Sequence, residues 1–431
     1  MSYGLPEQRR GCICWLAKGG KRMPRQSKLE LVSASCKDCG RVFEITPEEQ
    51  LHFKSLGFAL PKRCPACRKV RRDARKAEAE KEKARLSAIE KARKQKKREE
   101  EEAELEGLLK VCPFYQTSVT DLVLKNPSKT LVIIGNGFDI MHGVKSSYWD
   151  FQKTLGKNSM LRFYLETYLD TKDLWSNLEE ALGRMNYSIF LNPDIINMWL
   201  EDFGAYDPDA QAADFFGAVE TAIQPAFEIP RELNRRFQQW VRTLTVEGTL
   251  RPFISMLHGD YKVLCFNYTE FIESLYGAKE DHICYIHGCR KKRRGRKSDE
   301  LILGHKPGTE EEQWDKVQLK PYKFKDPYKR YIMESALETA ARETAWYDEA
   351  TTKKCADIIE SHAQFFDDLP GTEEIYVIGH SLSEVDYPYF QEVVKKTEAA
   401  WYIGYHSLDD MKRLMTFTGA MGLDKVTVFR T

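Results

Sequence analysis

The clearest hydrophobic pattern in the chain lies within Leu131–Asp150. Four consecutive apolar residues, Leu131–Ile134, run directly into Gly135 and Gly137 and then into a segment with helical spacing. An uninterrupted apolar run predicts a strand buried on both faces, and the glycines predict a tight turn into a helix. Such glycines let backbone N–H groups approach a ligand, and a helix N-terminus favours phosphate. The pattern therefore predicts a nucleotide site, with a tight connection that holds no ligand as the alternative.

Further short apolar runs recur toward the C-terminus. They are Tyr261–Phe266, Cys284–Ile286, Ile375–Ile378 and Ala400–Ile403. Segments with helical periodicity lie between them, such as Ala213–Ile223 and Asp357–Phe366. Strands that alternate with helices favour a parallel sheet covered on both faces. Residues 111–431 are therefore predicted to form one α/β domain, a Rossmann-like parallel sheet flanked by helices.

Polar residues follow three of these predicted strands. Asn267 follows the first run, His287 the second, and Gly379, His380 and Ser381 the third. Because the carboxyl ends of parallel strands meet at one edge of a sheet, these loops and the glycine turn are expected to enclose one site. Asn267 and His287 are the candidate catalytic residues. The candidate nucleotide-binding residues are Gly135, Asn136, Gly137, Phe138, Asp139, His142, Gly379, His380, Ser381 and Asp386.

Several of these residues also have a simpler structural interpretation. His287 and His380 could be hydrogen-bonded core histidines at strand ends. Asn267 could cap the following helix, because asparagine is a preferred N-cap residue, and Asp386 could serve only as an acceptor within a loop. Asp139 and the histidine three residues later, at position 142, could instead form an acid/base or metal pair, which leaves phosphodiester cleavage open.

Four cysteines form two C-x-x-C pairs near the N-terminus. Cys36 and Cys39 form the first pair, and Cys64 and Cys67 form the second, with 24 residues between the pairs. Each pair presents two sulfurs from one turn, and tetrahedral Zn²⁺ takes four such ligands. Because no coordination position stays open, the site is predicted to be structural. Residues 28–72 are therefore predicted to form a zinc ribbon.

A densely charged segment follows at residues 73–110. It lacks proline, is rich in good helix formers, and has apolar residues such as Leu86 and Ile89 that are too widely spaced for a core-facing stripe. We predict a solvated, charged helical linker. Its basic half, Lys91–Glu99, could contact RNA, DNA or an acidic partner, although a charge run more often forms a solvated face.

Composition narrows the class of protein. The chain has 431 residues and a formal net charge of +1. No stretch approaches the roughly 18 apolar residues of a membrane span, so no membrane partner is expected. The N-terminus has no apolar signal core, which predicts a cytoplasmic location. Eleven cysteines without an export signal disfavour a disulfide framework.

The order of the C-terminal motifs resembles the AbiH family of bacterial abortive-infection proteins. The likeness is carried by IIGNGFDIMHGVKSSYWDF, then FNYT, IHG and GHSLSEVDYPYF, and by Trp175-x-x-x-Glu179 and the Phe237/Trp240 pair. It covers nearly all of Leu131–Thr431 and implies defence against bacteriophage. The cysteine-containing segment lies outside this region and resembles a known family of small zinc ribbons.

A more distant resemblance connects the same motifs with sirtuins and with sirtuin-like NAD-consuming domains of phage-defence systems. The corresponding positions here are Gly135–Asp139, Asn267, His287 and Gly379–Leu382. By this resemblance, Asn267 would orient a ribose hydroxyl or an attacking water, and His287 would act as general base. Asp139 departs from the sirtuin pattern, and the internal zinc module of sirtuins is missing. These departures disfavour acyl-lysine deacylation relative to NAD hydrolysis.

Two hypotheses for function follow. In the first, the chain is an anti-phage effector that binds NAD or a related nucleotide and hydrolyses its N-glycosidic bond. In the second, the zinc ribbon and basic helix contact RNA or DNA, and the α/β domain is a nuclease or a nucleotide-controlled switch. A phage-derived trigger and a homo-oligomer are compatible with both. Loss of nucleotide hydrolysis in His287→Ala or Asn267→Ala would distinguish the first hypothesis.

Overall fold

The computed structural model describes residues 30–169, 171–190, 192–246, 251–291, 300–308 and 324–431. The chain divides into two compact units, Met1–Glu99 and Glu100–Thr431. Residues 28 and 29, the first two of the predicted zinc ribbon, lie outside the described residues.

The first unit contains a short hairpin and a helix. Strand β1 (Val32–Ser35) pairs antiparallel with β2 (Val42–Ile45), and helix α1 (Pro47–Ser55) follows. The Thr46 side chain accepts from the N–H of Glu49, whose carboxylate accepts from the N–H of Thr46, so a capping box begins the helix. The described core is Cys36, Phe43, Ile45 and Cys64. A core this small needs a further stabilising element, such as a structural metal.

Helix α2 (Pro65–Val111) is 47 residues long and begins at the second cysteine pair. Leu105 is the one residue of this helix that is buried, in agreement with the wide spacing of its apolar residues. The final turns of α2 belong to the second unit, where the Glu102 carboxylate accepts from the guanidinium of Arg430. The predicted helical segment 73–110 thus lies within α2, which begins at Pro65.

A seven-stranded parallel sheet forms the centre of the second unit, as far as its residues are described. Its strands are β3 (Tyr115–Thr117), β4 (Thr130–Ile134), β5 (Lys262–Cys265), β6 (Ile283–Tyr285), β7 (Glu374–Ile378), β8 (Ala400–Tyr405) and β9 (Val426–Arg430). They lie in the order β3-β9-β8-β7-β4-β5-β6, and every neighbouring pair is parallel. The predicted α/β class is confirmed.

The chain changes direction across the sheet at β4. From β4 it continues to β5 and β6 on one side, and it then returns to β7, β8 and β9 on the other side. Such a reversal opens a crevice beyond the carboxyl ends of the strands where it occurs, and ligands bind there in doubly wound folds. The loops after β4 and β7 flank this crevice.

Helices surround the sheet and form a separate packed layer. Those of the second unit, in the part of the chain described, are α3 (Asn136–Met141), α4 (Tyr148–Leu155), α5 (Met160–Tyr168), α6 (Leu178–Leu182), α7 (Tyr187–Phe190), α8 (Pro193–Asp202), α9 (Ala212–Val241), α10 (Phe271–Tyr276), α11 (Pro327–Thr351), α12 (Cys355–Ser361), α13 (Ala363–Asp367), α14 (Tyr387–Lys396) and α15 (Leu408–Met421). None of the helices in the described ranges is long and apolar enough to cross a membrane.

Strand β4 is buried on both of its faces. Leu131 and Ile133 pack into one apolar cluster, and Val132 and Ile134 pack into another. A third cluster lies among helices α4 to α11. Because both faces of β4 meet apolar side chains, its sequence shows an unbroken apolar run and no alternation.

Candidate functional site

A cavity of about 1510 Å³ lies at the crevice between β4 and β7. The loops that follow β4, β5, β6 and β7 all contribute residues to its wall. The predicted site residues that line it are Gly135, Asn136, Gly137, Asp139, Asn267, His287, Gly379, His380, Ser381 and Asp386. The structure therefore brings these residues together at one edge of the sheet.

The glycines bring the loops after β4 and β7 into backbone contact. The N–H of Gly137 donates to the carbonyl of Gly379 at 2.7 Å, and the N–H of Gly135 donates to the carbonyl of Ile378 at 3.2 Å. Gly379 has a φ of +64°, and a Cβ there would lie 2.1 Å from the backbone nitrogen of Phe138. The N–H groups of Gly135 and Gly137 therefore bond within the protein and hold two loops together at the cavity wall. The assignment of these glycines to a ligand site stays a prediction.

Asp139 fixes the orientation of the Asn267 amide. Its Oδ1 accepts from Asn267 Nδ2 at 2.7 Å, and its Oδ2 accepts from Thr269 Oγ1 at 2.5 Å. The amide nitrogen of Asn267 therefore faces Asp139, and the amide oxygen faces away from it. That oxygen is buried and has no hydrogen-bond partner among the described residues. Asn267 does not cap helix α10, whose N-cap residue is Glu270.

Burial also changes the acidity of Asp139. The side chain is only 2% exposed, and desolvation raises the pKa of its carboxyl to about 7, although the hydrogen bonds from Thr269 and Asn267 oppose the rise. Asp139 therefore holds the Asn267 amide in place at the cavity wall, because its carboxyl accepts from the amide nitrogen.

Two of the predicted residues lie in the core, Phe138 on helix α3 and His142 at its C-cap. His142 Nδ1 is 2.6 Å from the carbonyl oxygen of Phe138, and its Nε2 is 2.6 Å from the hydroxyl of Tyr276. The His142 ring also packs against Phe253. Neither Phe138 nor His142 is among the lining residues of the cavity. The acid/base pair considered for Asp139 and His142 is not formed, because the two side chains have different partners.

Asp386 lies between two histidine rings. Its Oδ1 is 3.7 Å from His287 Nε2, and its Oδ2 is 3.5 Å from His380 Nε2. The N–H of Leu382 donates to His380 Nδ1 at 2.9 Å, so a neutral His380 carries its proton on Nε2, toward Asp386. Leu382 has a φ of +52°, which is rare for a residue with a side chain. The turn after β7 therefore holds His380 in a defined tautomer and orientation.

His287 presents a neutral imidazole to the cavity. It is 3% exposed, and its Nε2 has no hydrogen-bond partner in the described ranges. Burial, together with the Lys353 ammonium, lowers the pKa of His287 well below the usual value. The rings of Phe266 and Tyr389 hold it by edge contacts, with centroid distances of 5.3 and 5.4 Å. The lowered pKa keeps the imidazole uncharged near pH 7 but makes it a weak base, and the carboxylate of Asp386, 3.7 Å from Nε2, is the group that would stabilise the protonated form.

Lys353 and Glu179 complete the network behind Asp386, and sequence reasoning assigned neither of them to the site. Lys353 Nζ is 2.8 Å from Glu179 Oε1 and 3.1 Å from Asp386 Oδ1, and the lysine side chain is completely buried. Burial alone would raise the pKa of Asp386, but Lys353 and the two imidazoles outweigh it and hold that pKa well below its usual range. Asp386 is therefore ionised. In the sequence, Glu179 stands out only as part of the Trp175-x-x-x-Glu179 motif that resembles the AbiH family.

His305 and Asp348 form a second buried pair at the same cavity, and both were missed from sequence. His305 Nε2 is 3.1 Å from Thr351 Oγ1 and 3.9 Å from Asp348 Oδ1. Both His305 and Asp348 line the cavity and are less than 7% exposed. They do not follow a strand of the sheet directly, so the rule that led to the other residues does not identify them.

The region that contains this cavity matches a known protein family. The model of a family described as "Bacteriophage abortive infection AbiH" matches residues 131–405, more than half of the chain. The chain belongs to the AbiH family. The resemblance predicted from the motifs is thus confirmed, and membership supports a phage abortive-infection protein. No curated protein and no solved structure is significantly similar to the chain. The AbiH match includes β4 from Leu131 onward, β5 to β8, and all the buried polar residues of the cavity described above.

A second match covers the region that precedes the AbiH part. A family described as a probable treble clef domain matches residues 32–76. The sulfurs of Cys36, Cys39, Cys64 and Cys67 lie within 4.8 Å of one another, and those of Cys39 and Cys64 are 3.8 Å apart. This distance agrees with the edge of a tetrahedron whose Zn–S bonds are about 2.3 Å long. The four thiols therefore fit a structural zinc site, as predicted.

Proposed function

We propose that the AbiH region is an abortive-infection effector that binds NAD or a related nucleotide in its cavity and hydrolyses the N-glycosidic bond. The observation that carries this proposal concerns two buried polar atoms. Asn267 Oδ1 and His287 Nε2 have no hydrogen-bond partner in the described part of the chain, and both residues line the cavity. Buried polar atoms without partners are costly, and a bound ligand that supplies partners offsets this cost.

The chemistry of the two residues suits hydrolysis at a ribose. Asn267 Oδ1 accepts a hydrogen bond from a ribose hydroxyl or from the attacking water. Neutral His287 takes a proton from that water as the water oxygen bonds to C1′, and the Asp386 carboxylate, 3.7 Å from Nε2, stabilises the imidazolium that forms. The bond between C1′ and the base nitrogen breaks, and its electron pair leaves with the base. With NAD, the products are nicotinamide, ADP-ribose and one proton.

Two further features support a nucleotide as the ligand. The cavity lies at the position where doubly wound sheets bind nucleotides, and its volume of about 1510 Å³ is large enough to hold one. The order of its loops also resembles that of sirtuin-like domains, as noted from the sequence.

The proposal is tested with the purified full chain and NAD, with nicotinamide release followed by chromatography. His287→Ala and Asn267→Ala are each expected to lower the rate by about 100-fold or more, because each removes a group that acts on the reacting water or sugar. His258→Ala is the matched control, since His258 is exposed and lies outside the cavity. Circular dichroism and zinc content should be unchanged in all three variants.

Nucleotide profiles of cells with and without phage infection extend the test to conditions that supply a trigger. Expression of the wild-type chain should deplete NAD or a related nucleotide during infection, whereas His287→Ala should not. If neither the purified chain nor infected cells show nucleotide loss that depends on His287, the proposal is wrong.

The alternative function is a nuclease or a nucleotide-controlled switch associated with nucleic acid. The treble clef match and the basic segment Lys91–Glu99 favour contact with RNA or DNA. Degradation of RNA or DNA by the purified chain, with NAD left intact, would support this alternative.

A further inference from the structure

The segment that leads into helix α4 forms part of the cavity wall. Four of its residues line the cavity: Ser146, Ser147, Tyr148 and Trp149. Ser147 is the N-cap residue of the helix. Asn136, in the turn after β4, donates through its Nδ2 to the carbonyl oxygen of Ser146 at 2.9 Å. This hydrogen bond joins the start of α4 to the glycine turn at the crevice.

The hydroxyl of Ser146 is a buried polar group without a partner. The residue is 7% exposed, and its Oγ forms no hydrogen bond with any residue that the structure describes. A buried hydroxyl without a partner destabilises a fold, and a ligand that supplies one removes this cost. The proposed function does not use this atom, so it is an independent indication of a polar ligand at this wall.

Two backbone donors follow this hydroxyl in the chain. The first N–H groups of a helix have no acceptor within the helix. Those of Tyr148 and Trp149, the first two residues of α4, have no acceptor within the described ranges, whereas the N–H of Asp150 donates to Ser147 Oγ. The glycine N–H groups of the turn after β4 already donate to carbonyl oxygens. The start of α4 therefore offers donors that the glycine turn does not.

The charges around this turn permit an anion to bind. The N-terminal end of a helix carries a partial positive charge that favours phosphate. The carboxylate of Asp150 pairs with Lys153 Nζ at 2.7 Å, and neither residue lines the cavity. Asp139 does line it, but both of its oxygens accept hydrogen bonds, and burial raises the pKa of its carboxyl to about 7. It therefore repels an anion less than an ordinary carboxylate does.

From this arrangement we infer that the start of α4 is the phosphate-binding part of the cavity. Ser146 Oγ and the N–H groups of Tyr148 and Trp149 donate to phosphate oxygens of the nucleotide. The sugar of the same nucleotide then lies against Asn267 and His287. This assignment rests on the proposed function and adds the group that distinguishes a nucleotide from a nucleoside. The sequence pattern predicted phosphate at the glycine turn, so no local motif indicated this site.

The test measures binding of three probes to the full chain by calorimetry: ADP-ribose, adenosine and inorganic pyrophosphate. ADP-ribose carries two phosphates, and adenosine carries none. Ser146→Ala should weaken ADP-ribose binding about tenfold or more, because a hydrogen bond to a charged oxygen is lost, and should change adenosine binding less than about twofold. Pyrophosphate should bind more weakly than ADP-ribose because it makes no sugar contacts. Equal or tighter binding of pyrophosphate would indicate a site for inorganic anions and overturn the inference.

A second pair of variants removes a backbone donor. Trp149→Pro deletes the N–H at the second position of α4, where proline is tolerated, and Trp149→Ala keeps it. Trp149→Pro should therefore bind ADP-ribose about tenfold more weakly than Trp149→Ala does. Ser128→Ala is the control for the serine change, because Ser128 is exposed and lies outside the cavity. It should keep the wild-type affinity.

Stability separates a ligand contact from a structural role of the hydroxyl. Because Ser146 Oγ has no partner among the residues described, Ser146→Ala should keep or raise the urea midpoint, whereas a structural role predicts a lower one. If circular dichroism shows that Trp149→Pro does not fold, Ser146→Ala decides alone.

Equal ADP-ribose affinities of the wild type and Ser146→Ala would overturn the inference. A wild-type chain that binds ADP-ribose no more tightly than adenosine would overturn it as well. In either case, nicotinamide release that depends on His287 would still support the proposed function, so the two failures are distinguishable.

Discussion

Replacing Lys353 by methionine removes the ammonium that faces two buried carboxylates. Its Nζ lies 2.8 Å from Glu179 and 3.1 Å from Asp386, with none of the lysine side chain exposed. Breaking a buried ion pair by removing one partner costs about 3–5 kcal/mol, because the remaining charge stays desolvated. Against a total folding stability of about 5–15 kcal/mol for a typical protein, this loss is large.

Urea unfolding, followed by circular dichroism, measures this cost. With a slope of about 3 kcal/mol per molar urea, the midpoint for Lys353→Met should fall by about 1 to 1.7 M. Lys354→Met is the control, because Lys354 is 57% exposed and its pair with Glu349, at 3.7 Å, contributes less than about 1 kcal/mol. Similar midpoints for wild type, Lys353→Met and Lys354→Met would refute the reasoning.

The difference in urea midpoint between the wild type and Lys353→Met should also depend on pH. In the wild type, Lys353 holds the pKa of Asp386 below its usual range. Ionised Asp386 therefore stabilises the fold above the unfolded pKa of about 3.9, and this contribution is lost as the pH falls through the lowered folded pKa. In Lys353→Met, Glu179 and Asp386 have no ammonium partner, so protonation of a carboxyl at lower pH removes an unpaired buried charge and reduces the loss of stability. The gap between the two midpoints should be widest near neutral pH and should narrow toward pH 4.

Two further predictions concern the loops and the metal. Gly379→Ala should destabilise the chain by about 3 kcal/mol or more in urea unfolding, because its Cβ would lie 2.1 Å from the nitrogen of Phe138. Gly371→Ala is the control: Gly371 has a φ of +89° and open space around it, so the substitution should cost only about 1 to 2 kcal/mol. Equal effects of the two substitutions would contradict the argument. Cys64→Ser should lower the zinc content, measured by elemental analysis, from one ion per chain to none, and an unchanged content would exclude the proposed ligand set.

The central strands could be predicted because burial determines their sequence. The unbroken apolar run of β4 arises from packing on both faces, and the equally buried β7 shows the same pattern. Strand β3 was missed because it has three residues and an exposed Tyr115, so it has no apolar pattern. Strand β9 was also missed, although Val426, Val428 and Phe429 are buried. Its position beside β8 depends on pairing that a single segment does not reveal.

The candidate site was only partly predictable, for a related physical reason. Asn267 and His287 follow strands directly, so the direction of a parallel sheet brings them to one edge. Lys353 lies in a polar stretch, and its partners Glu179 and Asp386 are distant in the sequence. No local pattern distinguishes a buried lysine from an exposed one. The glycines were predicted from a pattern that a ligand-binding turn shares with close contact between two loops, and the structure shows the second of these.

The backbone contact between the β4 and β7 loops has a consequence for engineering. The backbones of Gly137 and Gly379 are in direct contact with no side chain between them, so each loop packs well only against a loop of matching shape. Chimaeras that exchange one of these segments with a distant homologue should fail to assemble, whereas exchange of both together should succeed. The two loops should therefore be exchanged together.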